Sequence, residues 1–159
     1  MFETMTKLEY TAPRLALIVA EPGAVPKEKP VMRTPGDAAR LLEPLRYASE
    51  EKFVLILLDA RHEVTGLIEI SHGTLSSSLV HPREVFKAAL LANAYAIMVA
   101  HNHPSGSRAA SPEDIETTKK LAECAELLGV TMLDHIIVTA YGEYTSIREE
   151  HPECWPATK

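Results

Sequence analysis

This chain is poor in cysteine, carries no excess of basic charge and has no long apolar run. Only Cys124 and Cys154 occur, without CxxC spacing, which excludes a cysteine zinc ribbon and a disulfide framework. Cys124 falls in an apolar series with Leu121, Leu127 and Leu128 at helical spacing, the pattern of a core position rather than of a reactive thiol. No apolar stretch approaches the roughly 18 residues of a membrane span, and the N-terminus lacks a basic segment followed by an apolar one. The expectation is a reduced, cytoplasmic protein with no membrane partner. Sixteen Lys and Arg against 22 Asp and Glu leave a formal net charge of -6, so weak or no generic DNA binding is expected.

What is present suits one soluble domain. The chain has 159 residues, 46% of them hydrophobic and 24% charged, enough to bury a substantial core. Arg14 to Val19 has strand character and could add an edge strand. Residues 21–35 carry Pro22, Pro26, Pro30 and Pro35 among charges, the composition of an extended surface connection. Thr34-Pro35-Gly36-Asp37 opens a helix through Leu45, which Pro44 makes short or kinked.

Phe53 to Leu58 is too continuously apolar for a half-exposed strand and predicts a central one. Val64 to Ser71 predicts the next strand, antiparallel to it across a short turn. Gly73 to Ser78 is a polar connection or irregular edge, and Pro82 opens a helix through Ala92. Further strands are predicted at 94–100, 130–140 and 144–147. A long helix, 114–128, carries an apolar stripe of Ile115, Leu121, Ala122, Ala125 and Leu128 and stops at Gly129. The fold class is α/β, a mixed central β-sheet flanked by helices.

The chemistry concentrates in His101-Asn102-His103-Pro104-Ser105-Gly106 and Ser111-Pro112-Glu113-Asp114. Side chains two apart on a strand point the same way, so His101 and His103 can converge on one point at the C-terminal end of the 94–100 strand. Ser111 reads as an N-cap, Pro112 as N1 and Asp114 as N3, in the first helical turn and facing back toward that loop. Two His, one Asp and an open fourth position match a catalytic zinc site. Ser-Pro-Glu-Asp is equally an ordinary capping box, and by itself no more than that.

The joint spacing, His-x-His, seven residues, then Ser, two residues and Asp, resembles the JAMM motif of the MPN-plus (JAB) metalloproteases. In the form His-Asn-His-Pro-Ser-Gly it resembles the bacterial RadC family. Gly73-Thr74-Leu75, His81-Pro82-Arg83-Glu84-Val85 and Leu133-Asp134-His135 look like further landmarks of that family, and the likeness runs from about Glu51 to Ile147.

The resemblance implies a JAB/MPN, cytidine-deaminase-like architecture and a division into an N-terminal strand and proline-rich extension (1–33), the RadC-like domain (34–150) and a C-terminal tail (151–159). It also implies that the helical DNA-binding-like region of full-length RadC proteins is missing, so that this is a truncated or stand-alone form. The function implied is a zinc-dependent metallopeptidase acting on a peptide or protein substrate. Its metal ligands are His101, His103 and Asp114. Glu51 is the general base, with Glu50 as its rival, and Ser111 assists at the oxyanion. His81, Asp134 and His135 are either second-layer supports or structural residues. Alternatives are a RadC-type DNA-repair accessory, against which the acidic balance weighs, and a non-catalytic MPN interaction module, whose members lose metal ligands that this chain keeps. An HNH nuclease does not fit, since its residues are dispersed rather than consecutive. Nothing in the sequence reveals an oligomeric state.

Overall fold

The computed structural model describes residues 28–72 and 80–157. The expected strand at Arg14 to Val19, the connection at Gly73 to Ser78 and the Gly73-Thr74-Leu75 landmark lie outside the described residues. The strands are β1 (Lys52–Leu58), β2 (Val64–His72), β3 (Ala96–His103), β4 (Thr131–Thr139) and β5 (Tyr144–Ser146). The helices are α1 (Pro35–Leu41), α2 (Pro82–Leu91), α3 (Pro112–Leu128) and α4 (Ile147–Glu150), with 3-10 turns at Glu43–Tyr47 and Pro152–Cys154. One sheet runs in the order β2-β1-β3-β4-β5. Only β3 and β4 pair in parallel; the other three pairings are antiparallel, so the fold is a mixed α/β sheet flanked by helices.

The continuous apolar run of β1 is explained by cover on both faces. Phe53, Leu55 and Leu57 pack with Ile97 and Val99 under α2 and α3, whereas Val54, Ile56 and Leu58 pack with Met98, Ala100 and Ile136 under α1. Each fully buried Leu or Ile here is worth about 1.5–3 kcal/mol over leaving it in water. α3 buries Thr117, Thr118, Leu121, Ala122 and Ala125, and Cys124 packs against the same cluster as expected. Leu128, read as part of that stripe, is instead 44% exposed.

Three local expectations are corrected. Residues 28–34 are not wholly surface: Val31 bridges Glu63 and Met32 is buried in the core beside α1. The helix after Pro35 ends at Leu41, and Pro44 falls within a separate 3-10 turn. The last strand stops at Ser146, whose hydroxyl caps α4 by accepting from the Glu149 N–H at 3.1 Å, so Ile147 enters the core from a helix rather than a strand. The residues after it also pack: Cys154 is buried with Ile137 and Ile147, and the Trp155 indole N–H donates to the Met132 carbonyl at 2.8 Å.

Candidate metal centre

A parallel β3-α3-β4 crossover obliges α3 to start near the C-terminal end of β3, where open sheets gather their functional groups. His101 and His103 continue the Ile97, Val99 row of β3 and so face α3. Ser111 caps α3 and Asp114 is its N3 residue. The Ser111 hydroxyl accepts from the Asp114 N–H at 3.1 Å, and Asp114 Oδ2 accepts from the Ser111 N–H at 2.8 Å. The capping box and the approach of Asp114 to the histidines coexist: the box aims the carboxylate toward His101 and His103. Thr34 and Asp37 make the same box at α1, and among the described residues Asp37 belongs to no cluster that could hold a metal.

Asp114 is only 2% exposed; its Oδ1 stands 3.1 Å from His101 Nε2 and its Oδ2 3.3 Å from His103 Nε2. The two Nε2 atoms are 2.9 Å apart. Tetrahedral coordination with bonds of about 2.0–2.1 Å separates ligand atoms by roughly 3.3 Å, close to each of these separations. His103 Nδ1 lies 2.7 Å from the Ser107 carbonyl oxygen, which can only accept, so that nitrogen donates and the neutral ring leaves Nε2 bare. Two nitrogens and a carboxylate converging at this spacing fit a metal ion.

Burial alone would push the Asp114 carboxyl up, but the adjoining His101 and His103 side chains and the Ser111 N–H outweigh it and hold the group below the usual carboxylate range. Burial pulls His103 down, but its bonds to Asp114 and to the Ser107 carbonyl raise it overall.

Glu51 joins the group from the position just before β1. Phe53 pairs with His101, and Glu51, two residues earlier, falls beside the histidines, whereas Glu50 is exposed and stands outside the cluster. Glu51 Oε1 is 3.8 Å from His101 Nε2 and its side chain is one-third exposed. Glu51, His101, His103 and Asp114 each offer one ligand atom, all within 4.8 Å of one another.

The other expected residues separate. His135 lies directly behind His101, its Nε2 2.8 Å from His101 Nδ1 and its Nδ1 2.7 Å from Thr118 Oγ1; complete burial holds its pKa well below the usual histidine value. Asp134 points to the opposite face. It accepts from the Ser146 hydroxyl at 2.6 Å and from the Arg148 N–H at 3.0 Å, tying β4 to β5 and α4, while burial pushes its carboxyl up. His81 is exposed at the N-cap of α2, makes no side-chain cap and stands outside the cluster.

Two positions were not anticipated. Thr118, one turn after Asp114, donates to the Asp114 carbonyl at 2.6 Å and contacts His135; a threonine four positions after Asp114, on the same helix face, was its sequence signal. Asn102 anchors the segment that carries Glu51, accepting from the Lys52 N–H at 2.8 Å and donating to the Glu50 and Ala48 carbonyls.

Residues 32–152 match the model of the RadC-like JAB domain. Similar curated proteins include a UPF0758 protein of Desulforudis audaxviator, 45% identical over 77% of this chain and 53% of its own length. UPF0758 protein SH1266 of Staphylococcus haemolyticus is 47% identical over 77% of this chain and 54% of its own. The chain thus spans about half the length of the curated relatives it matches. With the family model covering most of the sequence and relatives this similar, the chain belongs to the RadC-like JAB domain family.

Proposed function

We propose that this domain is a zinc-dependent metallohydrolase, a metallopeptidase cleaving peptide or isopeptide bonds. The observation that carries the reading is the convergence of His101, His103 and Asp114 with Glu51 beside them at the open side of the cluster. His101, His103 and Asp114 would hold the ion and leave one position free, the ligand count of a catalytic rather than a structural site. A bound zinc ion supplies Lewis acidity, bringing the pKa of a coordinated water to about 7.

The remaining work belongs to the protein. Glu51, partly exposed, takes a proton from the attacking water and returns it to the leaving nitrogen. Ser111 spends a lone pair on the Asp114 N–H, which leaves its own proton free to donate to the oxyanion that forms at the substrate carbonyl. Asp114, kept ionised by its surroundings, offsets the positive charge gathered between the two imidazoles. Protein expressed with supplemented metal is expected to hold close to one zinc per chain by elemental analysis, and Asp114→Ala or His103→Ala to lose most of it while circular dichroism stays native. Absence of any transition metal from the folded wild type would refute the reading.

A further inference from the structure

His101 has no carboxylate or carbonyl behind it. Its Nδ1 faces another imidazole, and a ring can either give or take a proton there, so the direction of that bond must be set from elsewhere. Thr118 sets it. Its Oγ1 is 2.6 Å from the Asp114 carbonyl oxygen, which has no hydrogen to offer, so the hydroxyl proton points there. The oxygen then has only a lone pair for His135 Nδ1 at 2.7 Å, and that nitrogen must carry hydrogen. With its hydrogen on Nδ1, the neutral His135 ring leaves Nε2 bare toward His101. Across 2.8 Å that bare nitrogen accepts from His101 Nδ1–H. A neutral His101 consequently presents an unprotonated Nε2 toward Asp114 and His103.

We propose that Thr118 and His135 are positioning residues that lock His101 in its metal-ready tautomer before any cation arrives. The proposal rests on the metal site argued above, but the lock is a property of the metal-free chain. The opposite tautomer would aim an N–H at the centre of the cluster and obstruct an ion. α3 thus supplies both a ligand, Asp114, and, one turn later, the group that orients another ligand on β3. Outer partners of this kind are typically worth roughly 10- to 100-fold in metal affinity.

The experiment uses the whole chain with 15N-labelled histidine and no metal. Long-range proton–nitrogen correlation distinguishes protonated from bare ring nitrogens. His101 and His135 are both expected to carry hydrogen on Nδ1 with Nε2 bare. Thr118→Val keeps the volume and removes the hydroxyl; it is expected to shift His101 toward the Nε2–H form and to weaken zinc, measured by competition with a chromophoric chelator, roughly 10- to 100-fold. Thr118→Ser should restore both. A wild-type His101 protonated at Nε2, or a Thr118→Val protein with unchanged tautomer and zinc affinity, overturns the proposal. Should the valine variant unfold, the wild-type spectrum decides alone. The expected tautomers in a wild type that takes up no zinc would refute the metal reading and leave the lock standing.

Discussion

Asn102 Oδ1 accepts the backbone N–H of Lys52 at 2.8 Å, so the residue between the two histidines holds the strand entry next to Glu51. Its amide also donates to the Glu50 carbonyl at 3.0 Å and the Ala48 carbonyl at 3.3 Å, from the face of β3 opposite His101 and His103. His-Asn-His therefore divides its labour by strand alternation: the outer two residues face the cluster, and the middle one fastens the segment that brings Glu51 to it. Asn102→Ala is expected to destabilise the fold by about 1–3 kcal/mol, since it leaves buried partners unpaired, while zinc content stays near wild type. Urea unfolding with parallel metal analysis checks both; unchanged stability would show the clamp to be dispensable.

Glu51→Gln removes the proton acceptor and keeps the size of the side chain. On a substrate that the wild type cleaves, its hydrolysis is expected to fall by roughly 10²- to 10⁴-fold with metal retained. Glu50 is exposed and contributes only its backbone carbonyl to the Asn102 clamp, so Glu50→Gln should change little. Equal rates in all three proteins would remove Glu51 from the mechanism.

Metal-free stability and zinc uptake should depend on pH with opposite signs. His103 has its folded pKa raised, so its contribution is complete below the unfolded value of about 6.5 and disappears as pH climbs through the folded one. Asp114 has its folded pKa lowered, so its contribution is present above the unfolded value of about 3.9 and is lost as pH falls further. Thermal melts of the metal-free wild type minus Asp114→Asn should therefore show their largest difference between about pH 4 and 6.5, shrinking toward pH 8. Asp134, raised by burial, is common to both proteins and cancels. Zinc occupancy should instead increase with pH, because its ligands must be deprotonated. A stability difference that grew steadily to pH 8 would contradict the His103–Asp114 coupling.

Generic duplex DNA should bind weakly and become undetectable near physiological salt, since a net charge of -6 gives few phosphates a partner. Tight binding with a steep dependence on salt concentration would restore a nucleic-acid role for this domain.

Local spacing made the grouping of His101, His103 and Asp114 legible. The period of two along a strand put His101 and His103 on one face, and N3 of a capped helix turned Asp114 back toward them; both relations span few residues and survive any arrangement of the rest. The strand at Phe53 to Leu58 was equally readable, because a continuous apolar run of that length requires cover on both faces. Asp134 and His135 were not separable in this way. Ile97 pairs with Met132 but Met98 with Asp134, so Leu133 is an extra residue that reverses the alternation of β4. Without that bulge Asp134 would stand opposite Val99, on the face of the cluster; with it His135 does, and Asp134 turns to Ser146 and Arg148. A run of apolar residues looks the same with or without a bulge, so which neighbour supports His101 was decided by the pairing of β4 with β3. The Lys52 partner of Asn102 and the His135 partner of Thr118 were likewise decided by tertiary structure, because the sheet brings β1 to the one and the packing of α3 on β4 brings His135 to the other.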